Sequence, residues 1–128
     1  MCCLTIIRAW FCVCRYYPPR DQAGVDTLYK RINQMKRQQP LFADFTWGAG
    51  GSTSDLTLEL SSKVQATTGI PTNMHLTCTN MEESKIHNAL KLAKEADVRN
   101  IVALRGDPPA GQDKWEVTEG GFACGCVR

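Results

Sequence analysis

Asn100-Ile101-Val102-Ala103-Leu104-Arg105-Gly106-Asp107-Pro108-Pro109 is the stretch that decides the fold class. After Asn100 it is a continuous apolar run, not an alternating one. Strands covered on both faces read this way, and such strands belong to parallel sheets. The run stops abruptly at Arg105, and the two prolines cannot continue a ladder. Charged residues therefore follow directly on the carboxyl end of a parallel strand, where α/β folds carry their sites.

The same pattern recurs upstream. A strand at Asn73–Cys78 ends in His75 and Thr77, and a strand at Leu41–Trp47 ends in Thr46 and Trp47. A strand at Trp10–Tyr17 is followed by a polar cluster that runs from Arg15 to Arg20. Helices lie between them. Val25, Leu28, Ile32 and Met35 form one stripe over Gln22–Arg37. Leu56, Leu60 and Val64 line a second helix, capped by Ser52, Thr53 or Ser54 and ended by Gly69. Asn80 and Glu83 have the spacing of a capping box for a third helix, whose inner stripe is Ile86, Leu90 and Ala93. The strands start about 30 residues apart, the length of a βαβ unit. Three right-handed crossovers then give four parallel strands in an α/β sheet.

Composition bounds the rest. The 128 residues hold one small domain. Fifteen Lys and Arg against thirteen Asp and Glu leave a net charge of +2, too small for a nucleic-acid or polybasic membrane partner. Apolar content of 43% and charged content of 22% are those of a globular chain. No run of about 18 apolar residues exists to span a bilayer. Seven cysteines, odd in number and irregular in spacing, make no secreted disulfide framework. The apolar amino terminus has no basic start, is interrupted by Arg8 and lacks a small-residue cleavage site, so a cytoplasmic home is expected. Cys12/Cys14 and Cys124/Cys126 are C-x-C pairs without a neighbouring His, and zinc sites space their cysteines more widely. They are read as thiols, and no metal is expected.

Each distinctive residue also has a plain reading. His75 can be a core histidine satisfied by backbone, and Arg105 with Asp107 a structural ion pair in a turn. Gly48–Ser52 can be only a turn, or backbone N–H groups before a helix that suit an anion. It is no phosphate loop, because no Lys follows, and it fails G-x-G-x-x-G because position 53 is Thr.

The combination is more specific than its parts. Tyr17-Pro18-Pro19-Arg20, Thr46-Trp47-Gly48-Ala49-Gly50-Gly51-Ser52, Asp55-Leu56-Thr57-Leu58, His75-Leu76-Thr77-Cys78-Thr79-Asn80-Met81, the 100–109 stretch and Glu119-Gly120-Gly121-Phe122-Ala123-Cys124 occur in one order. Together they closely resemble the methylenetetrahydrofolate reductases of the eukaryotic type, from about Tyr16 to Cys124. The resemblance implies a (β/α)8 (TIM) catalytic barrel, present here only in part, since such a barrel needs about 250 residues. It implies a flavoprotein in which hydride passes from NADPH or NADH to FAD and then to 5,10-methylenetetrahydrofolate, yielding 5-methyltetrahydrofolate. Thr46, Trp47, His75, Arg105, Gly106 and Asp107 would contact the flavin, and Asp107 would also reach the folate substrate. Tyr16, Tyr17, Pro18, Pro19 and Arg20 would meet the nucleotide.

The chain departs from the family in three places. Arg15 stands where the family carries its proton-donor Glu, three residues before the proline pair. A guanidinium keeps its proton to about pH 12 and is a poor general acid. Residues 1–15 form a divergent segment entering the first strand, residues 16–124 match half of the catalytic barrel, and residues 125–128 leave the pattern. Half a barrel leaves its first and fourth strands with unpaired edges, so a homo-oligomer or association through those edges is expected. The alternative is a non-catalytic fragment that binds nucleotide weakly or joins a full-length subunit.

Overall fold

The computed structural model describes residues 2–6, 9–48, 53–79, 81–106, 108, 117 and 119–125, with side chains from Cys12 onward. Its elements are β1 (Cys2–Ile6), β2 (Ala9–Tyr16), α1 (Gln22–Met35), β3 (Phe42–Phe45), α2 (Ser54–Thr68), β4 (Thr72–Thr77), α3 (Glu83–Glu95) and β5 (Asn100–Leu104). They build one five-stranded sheet in the order β1-β2-β3-β4-β5. The four expected strands are β2 to β5, all parallel, with one helix in each crossover. This is the α/β arrangement of a partial (β/α)8 barrel.

The amino-terminal edge differs from expectation. β1 pairs antiparallel with β2, from Cys2 opposite Val13 to Ile6 opposite Ala9. The lower part of the first parallel strand is thus not an open edge. β5 remains the outermost strand on the other side.

Apolar spacing places the helices. Val25, Leu28 and Ile32 of α1 are buried with Ala43 and Phe45 of β3 and with Leu60 and Val64 of α2. Met74 and Leu76 of β4 are buried with Ile86, Ala89 and Ala93 of α3. Leu90, read as part of the α3 stripe, is 37% exposed, and Ala89 takes the inward place. The expected Leu56 of α2 is only half-buried. Thr57, Ser61 and Thr68 lie fully inside with Leu60 and Val64.

The helix ends show where local chemistry decided and where it did not. Asp21 caps α1 by accepting from the Gly24 amide at 2.7 Å. A 3-10 turn over Lys36–Gln38 follows α1, and Gln39 leaves it in the left-handed region before Pro40. Gly69, at φ +73°, closes α2. The capping box predicted for α3 is not what starts it. Glu82 flanks the helix without a side-chain cap, and the Glu83 amide donates to the Gly120 carbonyl at 3.0 Å. Asn80 lies outside the described residues. A distant carbonyl satisfies a donor that the local sequence was expected to satisfy.

Candidate functional site

Strand alternation divides the sheet into two faces. Ala43, Phe45, Met74 and Leu76 face the helices and form the core. Arg15, Asp44, Asn73, His75 and Thr77 occupy the alternate positions, on the face that a barrel turns inward. The register sets them side by side: Arg15 opposite Asp44, Asp44 opposite Asn73, and His75 opposite Val102.

Asp44 is the centre of this face. Its side chain is 8% exposed, which for a carboxylate demands partners. Asn73 Nδ2 donates to Oδ1 at 2.6 Å. Arg15 Nη2 reaches Oδ2 at 3.4 Å. His75 Nε2 lies 3.6 Å from Oδ1, beyond hydrogen-bond length but well inside charge contact. Two strands, β2 and β4, thus bring a cation, an amide and an imidazole to one carboxylate on β3. His75 is itself 12% exposed and Arg15 57%. His75 therefore has a carboxylate beside its ring, where its plain reading had only backbone.

Thr46 extends the β2–β3 ladder past its last paired residue, its amide donating to the Tyr16 carbonyl at 3.0 Å. Its own carbonyl accepts from Thr57 Oγ1 at 3.0 Å. The Gly48 amide donates to Thr53 Oγ1 at 2.7 Å, so Thr53 fastens the loop rather than capping α2. Trp47 falls on the helix side two residues beyond Phe45. It is buried with Met74, Leu76, Met81 and Ile86, and its indole Nε1 has no hydrogen-bond partner among the described residues.

At the end of β5 the Arg105 carbonyl accepts from Thr79 Oγ1. Gly106 has φ +83°, and a Cβ there would stand 2.6 Å from Thr77 Cγ2. The backbone passes so close to β4 that only glycine fits. Asp107 lies outside the described residues, as do positions 49–52. Arg105 and Gly106 therefore sit at the same end of the sheet as Thr46 and Thr77.

The cluster after β2 divides. Tyr16 stacks on Phe45 with ring centroids 5.6 Å apart, on the helix side. Burial, and then the neighbouring Cys14, push its phenol well above the ordinary 10.0. Pro18 is half-buried and Tyr17 exposed. Pro19 and Arg20 line a hollow of about 430 Å³ with Thr53, Asp55 and Leu56 at the start of α2. This hollow is distinct from the Asp44 cluster. Cys12 and Cys14 lie with sulfurs 3.9 Å apart. No group of three metal-ligating side chains occurs among the described residues.

Sequence reading missed Asp44 and Asn73. A signal was available: Asp44 interrupts an apolar strand, and a period-two step with parallel pairing sets it against Arg15.

The family model described as methylenetetrahydrofolate reductase matches residues 8–126. Methylenetetrahydrofolate reductase (NADH) 1 of Zea mays is 52% identical over 109 residues, which are 85% of this chain and 18% of that protein. The Arabidopsis thaliana protein of the same name is 50% identical over the same shares. The 5,10-methylenetetrahydrofolate reductase of Escherichia coli is 30% identical over 102 residues, 80% of this chain and 34% of that protein. The chain thus spans about a fifth of the length of its plant relatives.

Proposed function

Since the chain belongs to the methylenetetrahydrofolate reductase family, we propose that it supplies the amino-terminal part of a flavin-dependent reductase barrel. The reaction is reduction of 5,10-methylenetetrahydrofolate to 5-methyltetrahydrofolate, with NADPH or NADH as donor. Plant relatives named for NADH favour NADH here. When bound, FAD supplies the hydride relay between nucleotide and folate.

The observation that carries this reading is positional. Thr46, His75, Arg105 and Gly106 end or follow three adjacent parallel strands. The residues present fit a flat, polar ring. Gly106 offers no side chain where its backbone meets Thr77, and His75 and Asn73 bring ring and amide groups to the same face.

This chain's residues then have separate tasks. Thr46, His75, Arg105, Gly106 and Asp107 hold and orient the flavin, and Trp47 supports that rim from behind. Asp107 also accepts N–H donors of the folate. Tyr17 to Arg20 meet the nucleotide, and Tyr16 braces them from the helix side through its stack on Phe45. Arg15 holds its proton and gives none, so ring opening of the folate lacks the family's acid at this position. Loss of a general acid typically lowers a rate by about 10²–10⁴-fold. Binding is therefore retained better than turnover.

Free thiols at Cys12 and Cys14 suit a reducing, cytoplasmic setting. No helix among the described residues is long and apolar enough to cross a membrane. The position of β5 as the outermost strand among the described residues favours association with a second copy or with a full-length subunit.

Titrating the 128-residue chain with FAD and following flavin fluorescence tests the reading. Saturable quenching that weakens in His75→Ala is expected. A folded chain that leaves flavin fluorescence unchanged overturns it.

A further inference from the structure

Asp44 is absent from the residues the family resemblance singles out, yet the inner face is organised around it. We propose that Asp44 is a positioning residue: its carboxylate fixes the ring orientation and the tautomer of His75.

The geometry specifies how. Oδ1 faces Nε2 of His75 at 3.6 Å and accepts from Asn73 Nδ2 at 2.6 Å. Oδ2 is engaged by Arg15. At 3.6 Å the carboxylate is past hydrogen-bond length, so it acts by charge: a negative group beside Nε2 favours the proton on that nitrogen, which leaves Nδ1 as the acceptor offered elsewhere. Arg15 and Asn73 flank the carboxylate from both sides, and it cannot swing away without breaking the 2.6 Å bond from Asn73. Burial raises the penalty for doing so. The opposing position on β5 is Val102, which has no polar atom to compete for the imidazole. Arg105, the next charge along that strand, comes three residues later. Asp44 thus acts through His75 and touches no ligand itself. Its effect on flavin rests on the functional reading above, whereas its effect on His75 does not.

Two measurements separate these. Ring-nitrogen chemical shifts of ¹⁵N-histidine-labelled chain, taken above the titration range of imidazole, report the tautomer directly. The chain has two histidines, and His87, paired with Glu83 at 3.1 Å, is an internal reference. Wild type is expected to show His75 with the Nε2–H pattern. Asp44→Asn is expected to mix the two tautomers, because the new amide can present a donor to Nε2, while His87 stays unchanged. Identical His75 patterns in the two proteins overturn the proposal.

Should Asp44→Asn fail to fold, Asn73→Ala decides. It removes the other user of Oδ1 and is expected to keep the Nε2–H pattern. A mixed pattern there assigns the positioning to Asn73 and overturns the claim for Asp44. In the flavin titration, Asp44→Asn and His75→Ala are each expected to weaken binding by on the order of tenfold, as outer partners of ligating histidines do. The double variant is expected to lose no more than either single one. Additive losses overturn the coupling. Absence of flavin binding by wild type removes the functional reading, while the tautomer result still stands.

Discussion

Single residues carry different burdens on the two sides of the sheet. Gly106 is the clearest case, because two independent constraints meet there. Its φ of +83° disfavours any L side chain, and a Cβ would press into Thr77 Cγ2 at 2.6 Å. Thr77 is buried and its neighbours are packed, so it cannot move aside freely. Gly106→Ala is expected to destabilise the chain by about 1–3 kcal/mol through backbone strain alone, with the contact adding to it. A urea unfolding series checks this: the midpoint falls with little change in slope. Gly69→Ala provides the contrast, since nothing lies within 4 Å of its added Cβ and only the strain of φ +73° applies. Gly106→Ala should therefore cost more than Gly69→Ala. Equal costs would show that the approach to Thr77 carries no weight.

At the scale of elements, α2 binds the core to the rim. Its buried face mixes Leu60 and Val64 with Thr57, Ser61 and Thr68. The hydroxyls are satisfied within the protein: Ser61 donates to the Thr57 carbonyl at 2.8 Å and Thr68 to the Val64 carbonyl at 2.6 Å. Thr57 is different, because it donates to Thr46, outside its own helix. Thr57→Val keeps the shape and strands that carbonyl at the rim. A cost of about 1–3 kcal/mol is expected in urea, together with a larger amide shift at Thr46 than at Ser61 or Thr68. A Thr46 resonance that does not move would remove Thr57 as the rim's support. The four parallel strands were legible because each apolar run ends in a turn or a charge at a regular interval. β1 was not legible, since no Gly, Asn, Asp or Pro separates Ile6 from Ala9 to mark two strands. The start of α3 was misread because its first amide is satisfied by Gly120, 37 residues downstream, and no local motif carries that information. His75 was legible as a candidate, whereas its anchor Asp44 needed the register of two strands.

Among the described residues, helices finish one face of the sheet, and the other face grows more exposed toward β5. Helices seal Phe45, Met74 and Leu76 completely. On the other face Val102 remains 38% exposed, beside the half-buried Leu104. β5 is the outermost strand of the sheet, met by Gly125 beside the Ala103 and Leu104 backbone, whereas β1 pairs with the lower part of β2 at the opposite side. The two sides should therefore behave differently in solution. Association through β5 places backbone groups and the Val102 side chain of each copy in contact. Association through the amino-terminal side has to displace or extend β1. Sedimentation over a concentration series is expected to show reversible self-association of the wild-type chain. Val102→Lys is expected to shift the distribution toward monomer, because a charge at an edge strand opposes pairing. Its folded signal by circular dichroism should persist, since Val102 lies outside both buried core clusters. Replacing Cys2 or Leu4 of β1 by Lys is expected to change the association much less. A monomer at every concentration, or a dimer that responds to β1 and ignores Val102, would show that the outer edge of β5 is not where this chain meets another.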